Sequence, residues 1–212
     1  MSYFEDMGNA VIGGNIEEVK DLTNRALDDD EEPMDIIQNG LIKGMNVVGQ
    51  RFKEGDMFVP EVLMAAKSMK GGMDIVKPLL VEGEMDAPGK VMVGTVEGDL
   101  HDIGKNLVGM LMESGGLELV NLGVDIKAED FAKKVREHKP DVLGMSALLT
   151  TTMLEMKNTI EVLEEEGLRD DIKIMVGGAP VTQDFADEIG ADGWAPDAAS
   201  AKDLAIELID AD

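Results

Sequence analysis

From Lys90 onward, short β-rich runs alternate strictly with helical patterns, and this alternation limits the possible folds more than any other feature of the chain. The runs KVMVGTV, LELVNLG, DVLGMSA, IKIMVGG and DGWAP are followed by helical periodicity near 103–115, 128–138, 152–167, 181–189 and 198–209. Strands separated by helices cannot pair as hairpins. They need right-handed crossovers, which give a parallel sheet covered on both faces. Five such units predict an α/β domain of flavodoxin- or Rossmann-like form, with strand order 2-1-3-4-5 and a topological switch point between the first and third strands. Ligands bind such sheets outside the carboxyl ends of the strands. Asp99 and His101 follow the first strand and Ser146 closes the third, so these distant residues are expected to meet in one crevice.

The first part of the chain reads differently. Asn15 is placed to cap a helix carrying Ile16, Val19, Leu22 and Leu27, while Pro33 and Pro60 suit the first turns of later helices. PMDIIQNGLIKGMNVVGQRF repeats apolar residues at three- and four-residue steps through Met34, Ile37, Leu41, Met45, Val48 and Phe52. PEVLMAAKSMKGGMDIVKPLL does the same through Val62, Ala65, Ala66, Met69 and Met73. These segments predict an N-terminal antiparallel helical bundle over 1–84. VEGEMDAPGK, with two glycines, a proline and acids, then breaks the pattern. The expected division is a bundle over 1–84, a linker over 85–89 and an α/β domain over 90–212, with Val81–Lys90 as the natural hinge.

Composition excludes several classes of function. No cysteine is present, so disulfides and thiolate metal sites are impossible, and a reducing, cytoplasmic setting is expected. The first residues carry acids where a secretory signal is basic, and no apolar run is long enough to span a bilayer, so a soluble protein with no membrane partner is expected. Forty-four acidic against 19 basic residues give a formal charge of −25, which repels nucleic acid. A solvated acidic surface, a docking face for a basic partner and adaptation to high salt all fit that charge. The 16 methionines supply much of the apolar volume in a chain with 3% aromatic residues.

Asp99-Leu100-His101-Asp102-Ile103-Gly104 carries one of only two histidines. An imidazole on a loop is a good ligand for a transition metal, and a carboxylate on its other ring nitrogen fixes the tautomer and strengthens the donor. Two residues of spacing place Asp99 for that role. Gly104 has no side chain to obstruct a bulky ligand. One histidine, with no cysteine and no second histidine nearby, cannot build a protein-only zinc site. A metal held here must bring most of its own coordination shell, as in a macrocycle.

Asp99-x-His101-x-x-Gly104, followed by Ser146-x-Leu148 and by Gly177-Gly178, resembles the signature of cobalamin-binding domains of the methionine synthase type. In such domains the cofactor's own base leaves cobalt and enters a slot with its nucleotide tail. By similarity His101 is the lower axial cobalt ligand, Asp99 its hydrogen-bonded partner, and Ser146 a polar contact that continues the relay or meets the tail. The resemblance places Gly98, Asp102, Ile103, Leu148 and Thr150 against the cofactor too, and has Gly177 and Gly178 leave room for the tail. Thr151 or Thr152 is expected to cap the next helix. Trp194 and Asp197 are expected either to line the nucleotide pocket or to close the sheet edge. Met45 to Met69 is similar to the helical cap of these proteins, which sets Phe58 and Val62 near the upper corrin face, with packing inside the bundle as the competing role.

The resemblance extends to stand-alone corrinoid proteins serving methanol, methylamine, betaine or methoxyaromatic methyltransferases. It implies a methyl carrier binding cobalamin or a related corrinoid, methylcobalamin in the loaded state. Co(I) accepts a methyl group from a substrate-specific methyltransferase, a TIM barrel, and methyl-Co(III) donates it to a second methyltransferase acting on coenzyme M or tetrahydrofolate. A reductive activator of Co(II) is implied as well. The chain alone is then not a complete enzyme. Two alternatives share the histidine motif: a cobalamin-dependent sensor or regulator, which carries a DNA-binding helix-turn-helix before the cap, and the small subunit of a carbon-skeleton mutase, which lacks the cap.

Overall fold

A computed structural model describes residues 3–80 and 87–211. Its contacts divide the chain into two units, Met1–Asp86 and Ala87–Asp212. Residues 81–86, which hold most of the expected hinge and the start of the expected linker, lie outside the described residues.

In the first unit, α1 spans Tyr3–Ile12 and α2 spans Ile16–Asp28. Asn15 caps α2 as expected, its side chain accepting from the Glu18 N–H. Segments Pro33–Asp35, Ile36–Ile42 and Lys43–Glu54 run on without a break in helical dihedrals as one helix, α3. Pro33 opens α3, and Pro60 lies in the first turn of α4, Val59–Val76. The middle of α3 departs from the regular helix that apolar periodicity predicts, because Ile36–Ile42 widens into a π turn. The cause is visible in the buried positions. They come as pairs every four residues, Ile36/Ile37, Gly40/Leu41, Gly44/Met45 and Val48/Gly49, whereas an α-helix turns once in about 3.6 residues. A period of four drifts around an ideal helix, and a wider turn brings the pairs back to one face. Two of these glycines let α1 approach closely. A Cβ on Gly40 would stand 2.6 Å from Met7 Sδ, and one on Gly44 would stand 2.8 Å from the Gly8 carbonyl.

The second unit realises the expected sheet. Strands β1 (Lys90–Thr95), β2 (Glu118–Asn121), β3 (Val142–Ser146), β4 (Lys173–Gly177) and β5 (Gly193–Ala195) lie parallel in the order β2-β1-β3-β4-β5. Between and after them run α5 (Ile103–Ser114), α6 (Ala128–His138), α7 (Leu154–Glu165), α8 (Gln183–Ile189) and α9 (Ala198–Asp210). Side chains alternate across the pleat. Val91 and Val93 join Met112, Met175 and Ala205 beneath α5 and α9. Met92 joins Phe131, Leu143, Met156 and Ile174 beneath α6, α7 and α8. Register then aligns the carboxyl ends. Thr95 pairs with Ser146, Ser146 with Gly177 and Gly177 with Ala195, so one row of residues forms the rim from which the ligand-side loops leave.

Candidate functional site

The site grows from the loop between β1 and α5. Asp99 is fully buried there, and its carboxylate accepts from five directions. Oδ1 accepts the His101 N–H at 3.0 Å and lies 2.7 Å from His101 Nδ1. Oδ2 accepts from the Leu148 N–H at 2.7 Å, the Leu149 N–H at 3.3 Å and the Thr152 hydroxyl at 2.9 Å. Burial raises the Asp99 carboxyl pKa, but the N–H groups of His101 and Leu148 and the side chains of His101 and Thr152 outweigh it and hold it well below the ordinary carboxylate range. An ionised Asp99 keeps the imidazole proton on Nδ1. The lone pair of Nε2 is therefore the one offered to a metal. The His101 side chain is 53% exposed, so that offer faces outward. The Thr95 hydroxyl, buried at the end of β1, fixes the backbone beneath it by donating to the His101 carbonyl at 2.9 Å.

Ser146 has a different place from the one a relay requires. It is half-buried on the rim, its carbonyl accepts from the Val96 N–H, and the hydroxyl among the Asp99 bonds comes from Thr152. Thr152 does not cap α7 with its side chain: the position before Leu154 is Met153, without a side-chain cap. Its single hydroxyl proton has two acceptors, Asp99 Oδ2 and the Leu149 carbonyl at 3.0 Å.

The other expected residues divide into those left open and those used by the protein. A Cβ added to Gly104 would meet nothing within 4 Å, and the backbone there has no positive φ that requires glycine. Glycine costs a helix up to about 1 kcal/mol relative to alanine, and neither backbone nor packing calls for it at 104, so the position has room for a ligand. Around it, Leu100 and Ile103 are more than two-thirds exposed, and Leu148 and Leu149 are exposed as well, a surface suited to a large, largely apolar ligand. Asp102 and Thr150 are exposed, and Asp102 accepts from Asn106. Gly98 takes a φ of 77° that favours glycine.

Gly178 has a structural reason of its own, beside the room for a tail that the resemblance implies. Its φ is +128°, and a Cβ there would fall 1.9 Å from the Ala147 carbonyl oxygen, so the protein's own backbone demands glycine. A Cβ on Gly177 would lie 3.2 Å from the Ala195 oxygen. Asp197 caps α9, accepting from the N–H groups of Ala199 and Ser200 and from the Ser200 hydroxyl. Trp194 donates its indole N–H to the Val181 carbonyl and packs on the sheet core. Trp194 thus ties β5 to the loop after β4, and Asp197 starts the helix that follows β5. In the first unit, Val62 is fully buried and so serves as core, whereas Phe58 is 67% exposed.

This donor set fits a corrinoid. One outward imidazole is fixed by a buried carboxylate, and no group of three or more His, Cys, Asp or Glu able to hold a metal ion occurs among the described residues. An ion carrying its own equatorial ligands needs only that imidazole and the open ground around Gly104. We expect Gly104→Val to leave the unfolding free energy within about 1 kcal/mol of wild type and to abolish corrinoid uptake; wild-type uptake by a folded Val variant would show that the gap serves no ligand.

Comparison with known proteins identifies the family. Residues 89–202 match the family described as B12 binding domain, and residues 3–77 match a second family of the same description. A corrinoid protein of Desulfitobacterium hafniense (strain Y51) is 46% identical over 99% of this chain and 98% of its own length. The dimethylamine corrinoid protein of Methanosarcina barkeri is 48% identical over 84% of each chain. In structure, a chain of the methanol:cobalamin methyltransferase complex from Methanosarcina barkeri superposes with a TM-score of 0.86 at 33% identity, covering 99% of this chain and 80% of that one. The imidazole pinned from below, the open ground beside it and the two matched modules lead to one conclusion: the chain belongs to the B12-binding corrinoid proteins, and its cofactor is a corrinoid.

Proposed function

We propose that this protein is the methyl-carrying corrinoid subunit of a methyltransferase system, loaded by a substrate-specific methyltransferase and unloaded by a second one toward coenzyme M or tetrahydrofolate. When bound, the corrinoid supplies a cobalt centre able to accept and release the methyl group. The chain's own residues bind and orient. His101 presents Nε2, Asp99 holds the proton on Nδ1, and Thr95 and Thr152 fix the two ends of that pair. The observation carrying the proposal is the 2.7 Å contact between a half-exposed imidazole and a fully buried carboxylate at the switch point of the sheet. The names of the relatives support a methyltransferase partner and, with it, a methylamine or methanol as the source of the methyl group. No helix among the described residues is long and apolar enough to cross a membrane.

The test is anaerobic reconstitution with cobalamin, followed by methyl transfer from mono-, di- and trimethylamine, methanol and glycine betaine using a methyltransferase specific for each donor. A coloured protein that one of these enzymes methylates is the expected result. A colourless product, or a coloured one that no methyltransferase loads, would reject the carrier role.

A further inference from the structure

Asp125 stands in the loop between β2 and α6, 27 residues from Gly98 of the histidine loop, in the left-handed region with φ 57°. Aspartate tolerates that conformation better than most residues, yet it remains uncommon outside glycine. Both of its polar arms reach the same short segment. Its Oδ1 accepts the Gly98 N–H at 2.7 Å, and its own N–H donates to the Asp99 carbonyl at 3.1 Å. Next to it, Ile126 donates to the Thr95 carbonyl and bridges Val96, which anchors the β2–α6 loop to the end of β1. Asp99 is thereby a crossbar. Its carboxylate is fastened to the β3–α7 loop through Leu148, Leu149 and Thr152, and its main chain to the β2–α6 loop through Asp125.

We infer that Asp125 is a positioning residue for the cobalt ligand: by gripping Gly98 and Asp99 it sets the plane and reach of the His101 imidazole. This rests on the reading of His101 as that ligand. A hydrogen bond accepted by a carboxylate is stronger than one accepted by a neutral oxygen, and an aspartate held at positive φ keeps the loop in one conformation without touching the ligand. A turn with no such role needs neither the carboxylate nor its direction toward Gly98.

Three variants separate positioning from stability. Asp125→Asn keeps an acceptor oxygen and tolerates positive φ. Asp125→Gly suits the backbone but lacks the acceptor, and Asp125→Ala fits neither. Two readouts apply: the tautomer of His101 in the apo chain, from ¹⁵N NMR at a pH where the imidazole is neutral, and nitrogen splitting in the electron spin resonance of the chain loaded with cob(II)alamin. The expected result is a wild-type Nδ1–H tautomer and splitting in the Asn variant. The Gly and Ala variants gain Nε2–H tautomer and bind cob(II)alamin about tenfold more weakly, as loss of one charge-assisted bond implies, with the Gly variant the more stable of the two. A folded Gly variant with wild-type tautomer and splitting would overturn the inference. If wild type itself shows no protein nitrogen on cobalt, the ligand reading fails, while the tautomer comparison in the apo chain still decides what Asp125 does.

Discussion

Gly178→Ala is expected to destabilise the α/β unit by about 3–5 kcal/mol, the sum of a non-glycine residue forced into a glycine-only conformation and an overpacked contact. The added methyl would lie 1.9 Å from the Ala147 carbonyl, and backbone cannot swing aside as a long side chain can. Gly177 accepts from the Ala147 N–H and Gly178 from the Val181 N–H, so a shift of this turn also pulls on β3 and on the start of α8. Against a total stability of roughly 5–15 kcal/mol, the variant should unfold at much lower denaturant or be recovered insoluble. Urea unfolding followed by circular dichroism checks this. A midpoint within experimental scatter of wild type would mean that the turn has slack the structure does not show. Gly104→Val is the complement, since it should lose the ligand while keeping the fold.

Asp99→Ala should cost a similar amount, about 3–5 kcal/mol, because it strands the buried Thr152 hydroxyl and the part-buried Leu148 N–H, and an unpaired buried donor costs about 1–3 kcal/mol. The Leu148 N–H and the Thr152 hydroxyl lose the carboxylate together, and the His101 ring loses its anchor. Asp99→Asn should be milder, since the amide oxygen can still accept on one side, but its NH₂ must then face a donor on the other. The two substitutions also differ from wild type in acid. The folded-state pKa of Asp99 is depressed, so its contribution is fully present above the ordinary carboxylate pKa of about 4 and is lost as pH falls below that value toward the folded-state pKa. Unfolding free energies measured from pH 6 downward should therefore fall more steeply for wild type than for the Asn variant. Parallel acid limbs would show that Asp99 is not the buried anion described.

Most of the α/β unit was legible because its signal is local. Apolar runs of strand length alternate with helical repeats, and the alternation by itself dictates parallel strands, which lie in the expected order. The Asp99–His101 pair was legible for the same reason, since two residues of spacing suffice to bring carboxylate to ring. What stayed hidden depends on register between distant segments. Thr152 lies 53 residues from Asp99 and Asp125 lies 27 from Gly98, and only the pairing of β1 with β2 and β3 brings them together. Among three consecutive threonines, nothing in the sequence says which one faces a carboxylate. The demand for glycine at 178 comes from a carbonyl on the neighbouring strand's loop, which the dipeptide alone, readable as an ordinary turn, does not reveal. The π turn of α3 escaped because much of its four-residue pairing is carried by Gly40, Gly44 and Gly49, which hydropathy does not register as core.

Ligation of cobalt by Nε2 of His101 underlies the whole proposal. The most direct measurement is electron spin resonance of the chain loaded with cob(II)alamin, produced once with natural histidine and once with ¹⁵N-histidine. Ligation by His101 predicts a nitrogen triplet on each cobalt line that becomes a doublet with the labelled amino acid and disappears in His101→Gly. A triplet unchanged by the label would place the cofactor's own base on cobalt and contradict the account.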